Sequence, residues 1–253
     1  YVDDISVIVT PTCEVPTDIT VTNVTTTTAQ VDWMAPAVGS PVSYDVYYDI
    51  TNTPPTGAST PNQTGIAGLT TNLSSLTPGA TYYLWIRTFC GGTDYSAWTA
   101  VPVSFVTPCV STTVPYSEDF ETATEPDLPV CTSTENAGDG NDWETVDDPG
   151  DGFTSMTLQY GYHSDFDADA WFFIRGLDLT GGTSYRISFP YGSASTTFAE
   201  NLKVMYGDAP VSTSMTNLIV DYPNILSGAP LNSSVDFIPP TTGVYYIGFN
   251  AYS

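Results

Sequence analysis

Apolar and polar residues alternate along most of this chain, and the alternation has the two-residue period of strands rather than the 3.6-residue period of helices. Ile19 and Val21 share one face of a first strand. Ala29, Val31 and Trp33 share a face of the next, which Ala35-Pro36 ends. Tyr44, Val46 and Tyr48 alternate in a third. A Thr-Pro-Gly turn at 77–79 leads into Tyr82, Leu84, Ile86 and Thr88, again on one face, and Val101, Val103 and Phe105 supply a last strand before Thr107-Pro108-Cys109. Thr, Val, Tyr and Ser, which favour half-buried strands, are abundant, and 20 Gly and 20 Pro punctuate the chain. Seven short strands in about 95 residues predict a β-sandwich.

The second half is also read as strands, at Phe153–Tyr160, Ala170–Ile174, Ser184–Tyr191, Asn201–Tyr206, Asn217–Tyr222 and Val244–Ala251. With Pro115–Glu121 and Val235–Ile238 these make eight or more, and they predict a jelly-roll-like sandwich. The fold class is therefore all-β. A length of 253 residues suits two domains.

Charge narrows the partners. Twenty-eight acidic residues stand against four basic ones, Arg87, Arg175, Arg186 and Lys203, for a net charge of −24. No basic stripe exists to neutralise phosphates, which excludes nucleic acid and anionic membrane surfaces as partners. From residue 115 onward there are 20 acids and 3 bases, against 8 and 1 in residues 1–110. Most carboxylates must lie solvated, and a close cluster repels itself unless a cation relieves it. No run of 18 apolar residues occurs, so insertion of a helix into a bilayer is not expected. The opening Tyr1-Val-Asp-Asp-Ile-Ser-Val-Ile-Val9 lacks a charged leader and a cleavage site and reads as a strand from within a longer protein.

Leu76-Thr-Pro-Gly-Ala-Thr-Tyr82-Tyr-Leu84-Trp-Ile86 resembles the E–F corner of fibronectin type III domains, with Trp33 at the place of their strand-B tryptophan and Tyr44–Tyr48 at strand C. The resemblance implies that Tyr82 is a corner tyrosine bonded back to the backbone. These positions are structural and carry no activity. The Arg-Gly-Asp tripeptide of some family members is absent.

A second resemblance covers residues 115–253. Pro115-Tyr-Ser-Glu-Asp-Phe-Glu121, Asn141-Asp-Trp143, Asp167-Ala-Asp-Ala-Trp171-Phe-Phe and Gly181-Gly-Thr-Ser-Tyr-Arg-Ile-Ser-Phe189 resemble choice-of-anchor J and cleaved-adhesin modules, bacterial relatives of the MAM domain. Such modules end on a strand like Tyr-Val-Asp-Asp-Ile-Ser-Val, the sequence found here at residues 1–7. The implied organisation is a closing strand of a preceding module at 1–12, a fibronectin type III domain at 13–109, and an adhesin-like domain at 110–253 that lacks its last strand. An extra strand private to the first domain is the alternative.

The four cysteines fit no zinc spacing, and the single histidine, His163, does not complete one. In a fibronectin sandwich strand A begins at the end where strand F finishes, which pairs Cys13 with Cys90. Cys109 follows the last strand and Cys131 lies early in the second module, a placement in which the two could clamp the junction between domains. Two disulfides imply an oxidising, extracellular setting; four buried free thiols are the alternative.

Candidate chemistry is sparse. His163 lies in the loop-like Tyr160-Gly-Tyr-His-Ser-Asp165 with no nucleophile elbow in the chain, so no catalytic residue is assigned and no enzymatic activity is expected. Calcium is the expected cofactor, because it takes six to eight oxygens from separated segments. Asp119 and Glu121 are placed on one face of a strand whose Phe120 points inward, and Asp165, Asp167 and Asp169 alternate before Trp171. The adhesin resemblance implies ligands at Glu121 and at Asp3 and Asp4 of the closing strand, with Asp169 as a further one. Asp139-Gly-Asn-Asp142 is a weaker second loop. Tyr160, Tyr162 and Tyr191 are candidates for an aromatic platform facing sugars or proteins.

These readings together imply a non-enzymatic, calcium-stiffened adhesive repeat of a large bacterial surface protein. Its partners would be neighbouring repeats, surface glycans or cell-surface proteins, and its export the type IX route of gliding and surface-colonising bacteria. The alternative is a carbohydrate-binding accessory pair of a secreted protease or glycosidase.

Overall fold

In a computed structural model, which describes residue 3 and residues 11–253, the chain divides between Pro108 and Cys109 into two compact units. Both are built of strands, and the one helical turn among the described residues is a 3-10 turn at Ser212–Ser214.

The first unit contains β1 (Thr17–Thr22), β2 (Ala29–Met34), β3 (Ser43–Asp49), β4 (Gln63–Ile66), β5 (Thr70–Leu73), β6 (Thr81–Gly91), β7 (Asp94–Tyr95) and β8 (Val103–Val106). One sheet runs β1-β2-β5, and the other runs β4-β3-β6-β7 with β8 also on β6. The inward residues are those the alternation named: Ala29, Val31, Trp33, Tyr44, Val46, Leu84 and Ile86 are all buried in one core. Trp33 meets Tyr44 edge to face across the sandwich with ring centroids 5.3 Å apart. Val101 departs from the expectation. It lies before β8 begins and is 75% exposed, because β8 starts only at Val103.

The corner is as the motif implies. Leu76 is buried, and Thr77 N donates to the Tyr82 hydroxyl at 2.9 Å, so a tyrosine on β6 satisfies the backbone of the turn that precedes it.

The second unit contains β9 (Thr112–Thr113), β10 (Ser133–Asn136), β11 (Trp143–Val146), β12 (Thr157–Tyr160), β13 (Asp169–Phe173), β14 (Leu177–Leu179), β15 (Tyr185–Tyr191), β16 (Glu200–Gly207), β17 (Asn217–Ile225), β18 (Leu231–Phe237) and β19 (Gly243–Tyr252). A seven-stranded sheet runs β10-β13-β19-β14-β9, with β16 also on β19 and β17 beyond it. The antiparallel pair β15–β18 and the hairpin β11–β12 form separate two-stranded sheets. Phe172, Val204, Tyr206, Tyr245 and Ile247 of the large sheet pack with Phe237 of β18 and with half-buried Tyr185, Ile187, Phe189, Trp143 and Leu158 from the two small sheets. On the opposite face Trp171 and Phe173 stack with centroids 5.9 Å apart and bury Met215. Strand β13 is therefore apolar on both faces, which explains why Ala170–Ile174 reads as a continuous run.

This unit repeats the corner device of the first. Leu179-Thr-Gly-Gly-Thr-Ser-Tyr185 has the spacing of Leu76–Tyr82, and Thr180 N donates to the Tyr185 hydroxyl at 2.8 Å. The segment expected as a strand at Pro115–Glu121 is instead irregular. The expected strand from Phe153 begins only at Thr157.

Candidate functional site

The Asp119–Glu121 segment is a turn because its own carboxylates capture its backbone. Glu118 Oε1 accepts from Phe120 N at 3.0 Å, and Asp119 Oδ1 accepts from Glu121 N at 3.2 Å. Phe120 takes a φ of +64°, a left-handed value costly for an aromatic residue, on the order of 1–3 kcal/mol. That cost is met by packing, since its ring lies 6.0 Å from Phe172 in the core. Phe120 thus points inward as the sequence reading expects, but through a turn, and Asp119 and Glu121 do not share the face of a strand. Both are exposed, and Glu121 Oε1 accepts from Met156 N at 3.1 Å.

Asp169 belongs to other neighbours. It opens β13, and its Oδ1 accepts from Trp171 Nε1 at 3.0 Å and from Asn250 Nδ2 at 2.8 Å. Beside it Trp143 Nε1 donates to Ala170 O at 2.9 Å, at the Trp143↔Tyr160 end of the β11–β12 hairpin. Glu121 meets Met156, next to the opposite, Val146↔Thr157 end of that hairpin. Among the described residues no three carboxylates converge within 4.8 Å; the only grouping of that kind is the Cys13–Cys90 bridge with Asp94. Asp119, Glu121 and Asp169 do not form one coordination sphere. Asp3 is exposed, and Asp4 lies outside the described residues. Glu118, Asp119 and Glu121 fall within four residues of one another in the sequence, but each carboxylate accepts a backbone N–H, and the three do not converge on one point.

Asp165 and Asp167 lie in a loop, not in an alternating strand. The Asp139–Asp142 loop is held by local bonds: Asn136 Nδ2 donates to Gly140 O and Asn141 O, and Asn141 Nδ2 to Gly161 O and Tyr162 O. Gly138 is required there, because a Cβ would sit 2.5 Å from Asp167 O. His163 stays local as well. Its Nδ1 accepts from Asp165 N at 3.2 Å, and its ring packs on Phe166 at 4.8 Å.

The three tyrosines named as a platform have different settings. Tyr160 is half-buried against Trp143 at 5.9 Å, while Tyr162 is 77% exposed. Tyr191 stacks on Tyr222 at 4.2 Å and lines an open hollow of about 380 Å³ with Pro223, Asn224, Leu226 and Leu231. Neither Tyr160 nor Tyr162 lines it. No charged residue lines it either, in a chain of charge −24. Tyr222, Leu226 and Leu231 went unmarked in the sequence because only the tertiary structure brings them to Tyr191, Leu231 as its partner across β15 and β18 and Tyr222 by ring stacking. Burial pushes the Tyr191 hydroxyl above its ordinary range, with a smaller contribution from Tyr222. Tyr116 is pushed up to about 12 by burial first and by neighbouring Glu118 next.

The basic residues are spent inside the units. Arg87 Nε donates to buried Asp45 Oδ2 at 2.9 Å, and its guanidinium lies 4.4 Å from the Tyr95 ring centre and 4.7 Å from that of Trp98. Arg186 pairs with Asp236 on the surface. Both predicted disulfides are formed: Cys13–Cys90 spans 77 residues and Cys109–Cys131 spans 22. The second lies wholly within the second unit and ties its first residue to Cys131.

No curated protein matches the chain. Among solved structures, the K1 cleaved adhesin domain of Lys-gingipain from Porphyromonas gingivalis W83 aligns with a TM-score of 0.42 at 18% identity, over 54% of this chain and 86% of that one. The K2 cleaved adhesin domain of Lys-gingipain gives 0.40 at 18% identity, over 55% and 88%. A two-domain fibronectin type III segment of chicken tenascin gives 0.33 at 13% identity, over 95% and 92%. The fibronectin type III family model matches residues 14–103, so the β-sandwich of the first unit is a fibronectin type III domain.

Proposed function

We propose that this chain is a non-enzymatic structural and adhesive repeat of a large bacterial cell-surface protein. The observation that carries the reading is how the residues are spent. Inward aromatics fill two sandwich cores, each unit holds its own disulfide, and the charged residues are overwhelmingly acidic. Such a design suits a stiff, soluble spacer in an oxidising environment outside the cell. The adhesin-like motifs of residues 115–253 support export by the type IX route and tandem neighbours of the same kind. Calcium at the Asp119–Glu121 turn would offset the repulsion of its carboxylates and hold the segment against the core through Phe120.

An antibody raised against the chain should label intact cells of the source bacterium, and deletion of the gene should weaken their attachment to surfaces. A pool confined to the cell interior contradicts the proposal. So does turnover of a peptide or glycan by the pure chain that a point substitution in it abolishes.

The uncharged Tyr191–Tyr222 hollow favours a second reading, an accessory module that binds neutral glycans. Glycan-array binding lost on Tyr222→Ala would support it.

A further inference from the structure

The two disulfides sit in opposite electrostatic settings. Cys13 is 5% exposed, and a carboxylate oxygen of Asp94 lies within 4.8 Å of both sulphurs of its bridge. That carboxylate is held in place by Thr12, whose hydroxyl donates to it at 2.9 Å. A thiolate approaching Cys13–Cys90, or leaving from it, meets a negative charge. At the other bridge Cys109 is exposed and Cys131 is half-buried. Arg175 Nη2 lies 3.3 Å from Cys131 Sγ, and Arg175 Nε is buried with no acceptor among the described residues. One of only four cations in a chain of charge −24 is therefore aimed at one sulphur of the accessible disulfide.

Thiol–disulfide exchange needs an open sulphur for the attacking thiolate and a stabilised thiolate on the sulphur that leaves. We propose that Cys109–Cys131 is a site of thiol–disulfide exchange for small uncharged thiols, in which Cys109 Sγ is attacked and Arg175 stabilises the departing Cys131 thiolate. The thiolate of the incoming molecule bonds to Cys109 Sγ, the S–S bond breaks, and its electron pair leaves on Cys131 Sγ beside the guanidinium. A second equivalent of thiolate then attacks the mixed disulfide at the sulphur of the small molecule. It releases the Cys109 thiolate and the oxidised disulfide of the reagent. Two thiols are oxidised, and one cystine is reduced by two electrons. The chain thus carries one locked staple and one exchangeable one, and the first step leaves a covalent adduct on Cys109.

The test uses the folded full-length chain. Under limiting dithiothreitol with quenching by iodoacetamide, peptide mapping should show Cys109 and Cys131 alkylated at least about tenfold faster than Cys13 and Cys90, combining access with charge. One equivalent of 2-mercaptoethanol should leave its adduct on Cys109 and the alkyl label on Cys131. Arg175→Gln should slow reduction of this bridge several-fold, because a leaving thiol of higher pKa departs more slowly, whereas Arg175→Lys should retain most of the rate. Asp94→Asn, in the other unit, should speed reduction of Cys13–Cys90 and so tests the charge argument even if Arg175→Gln fails to fold. Equal reduction rates for the two bridges, the adduct on Cys131, or rates indifferent to both charge changes would overturn the proposal.

Discussion

Replacing Cys13 and Cys90 by serine should destabilise the fibronectin unit chiefly through its unfolded state. The bridge closes a loop of 77 residues, for which the chain-entropy relation gives about 4.5 kcal/mol at 25 °C, near the top of the usual 2–5 kcal/mol range. The folded unit has little reason to move, since Val31, Leu84 and Ile86 are fully buried and owe that burial to both sheets rather than to the sulphurs. Against a typical stability of about 5–15 kcal/mol, such a loss takes much of the margin. The assay is urea unfolding followed by tryptophan fluorescence, with Trp33, Trp85 and Trp98 reporting the first unit and Trp143 and Trp171 the second. The expected result is a large fall in the first transition, a steeper denaturant slope because the released chain exposes more surface, and an unchanged second transition. A loss below about 1 kcal/mol, or a fall with the slope unaltered, would refute the unfolded-state reasoning.

Three further outcomes follow from the same structure. Tyr82→Phe should cost about 1–2 kcal/mol in urea unfolding, because it leaves Thr77 N without an acceptor beside a residue that is only 7% exposed. Asp45→Ala should cost about 3 kcal/mol or more, since it strands the Arg87 guanidinium, whose side chain is 13% exposed; a double-mutant cycle with Arg87→Met measures the coupling. Tyr116 should ionise near pH 12 rather than 10, read at 295 nm as the difference from Tyr116→Phe. The folded chain holds that proton more tightly than the unfolded one. Its contribution to stability is therefore complete below pH 10 and is lost as pH rises from 10 towards 12.

Much of the first unit was legible because its signals are local. Trp33, Tyr44, Val46, Leu84 and Ile86 declare their faces by alternation, and the Leu76–Tyr82 corner lies within seven residues. The second unit was harder for identifiable reasons. Strands β9, β10, β11 and β14 are two to four residues long, too short to show a period, and β13 is apolar on both faces. Asp119 and Glu121 were misplaced onto a strand face because alternation around Phe120 is the same whether the backbone is extended or turned. The deciding contacts, from Glu118 to Phe120 N and from Asp119 to Glu121 N, have no periodic signature. Asp169 looked like a partner of Glu121 by composition, whereas the hairpin β11–β12 places them at opposite ends. The charges around the two disulfides, Asp94 and Arg175, come from distant positions that only the tertiary structure brings to the sulphurs.

The measurement that bears most directly on a calcium-stiffened surface repeat is calorimetric melting of the full chain in calcium and in chelator, for wild type and Glu121→Gln. An ion bound only by the folded turn, at 100-fold excess over its dissociation constant, contributes about 2.7 kcal/mol. For a unit of this size that raises the midpoint by about 5–11 °C. The account predicts such a rise in the second unit alone, and its near disappearance in Glu121→Gln, which keeps the side chain's shape but removes its charge. Identical midpoints in calcium and chelator, or a rise that survives Glu121→Gln undiminished, would contradict it.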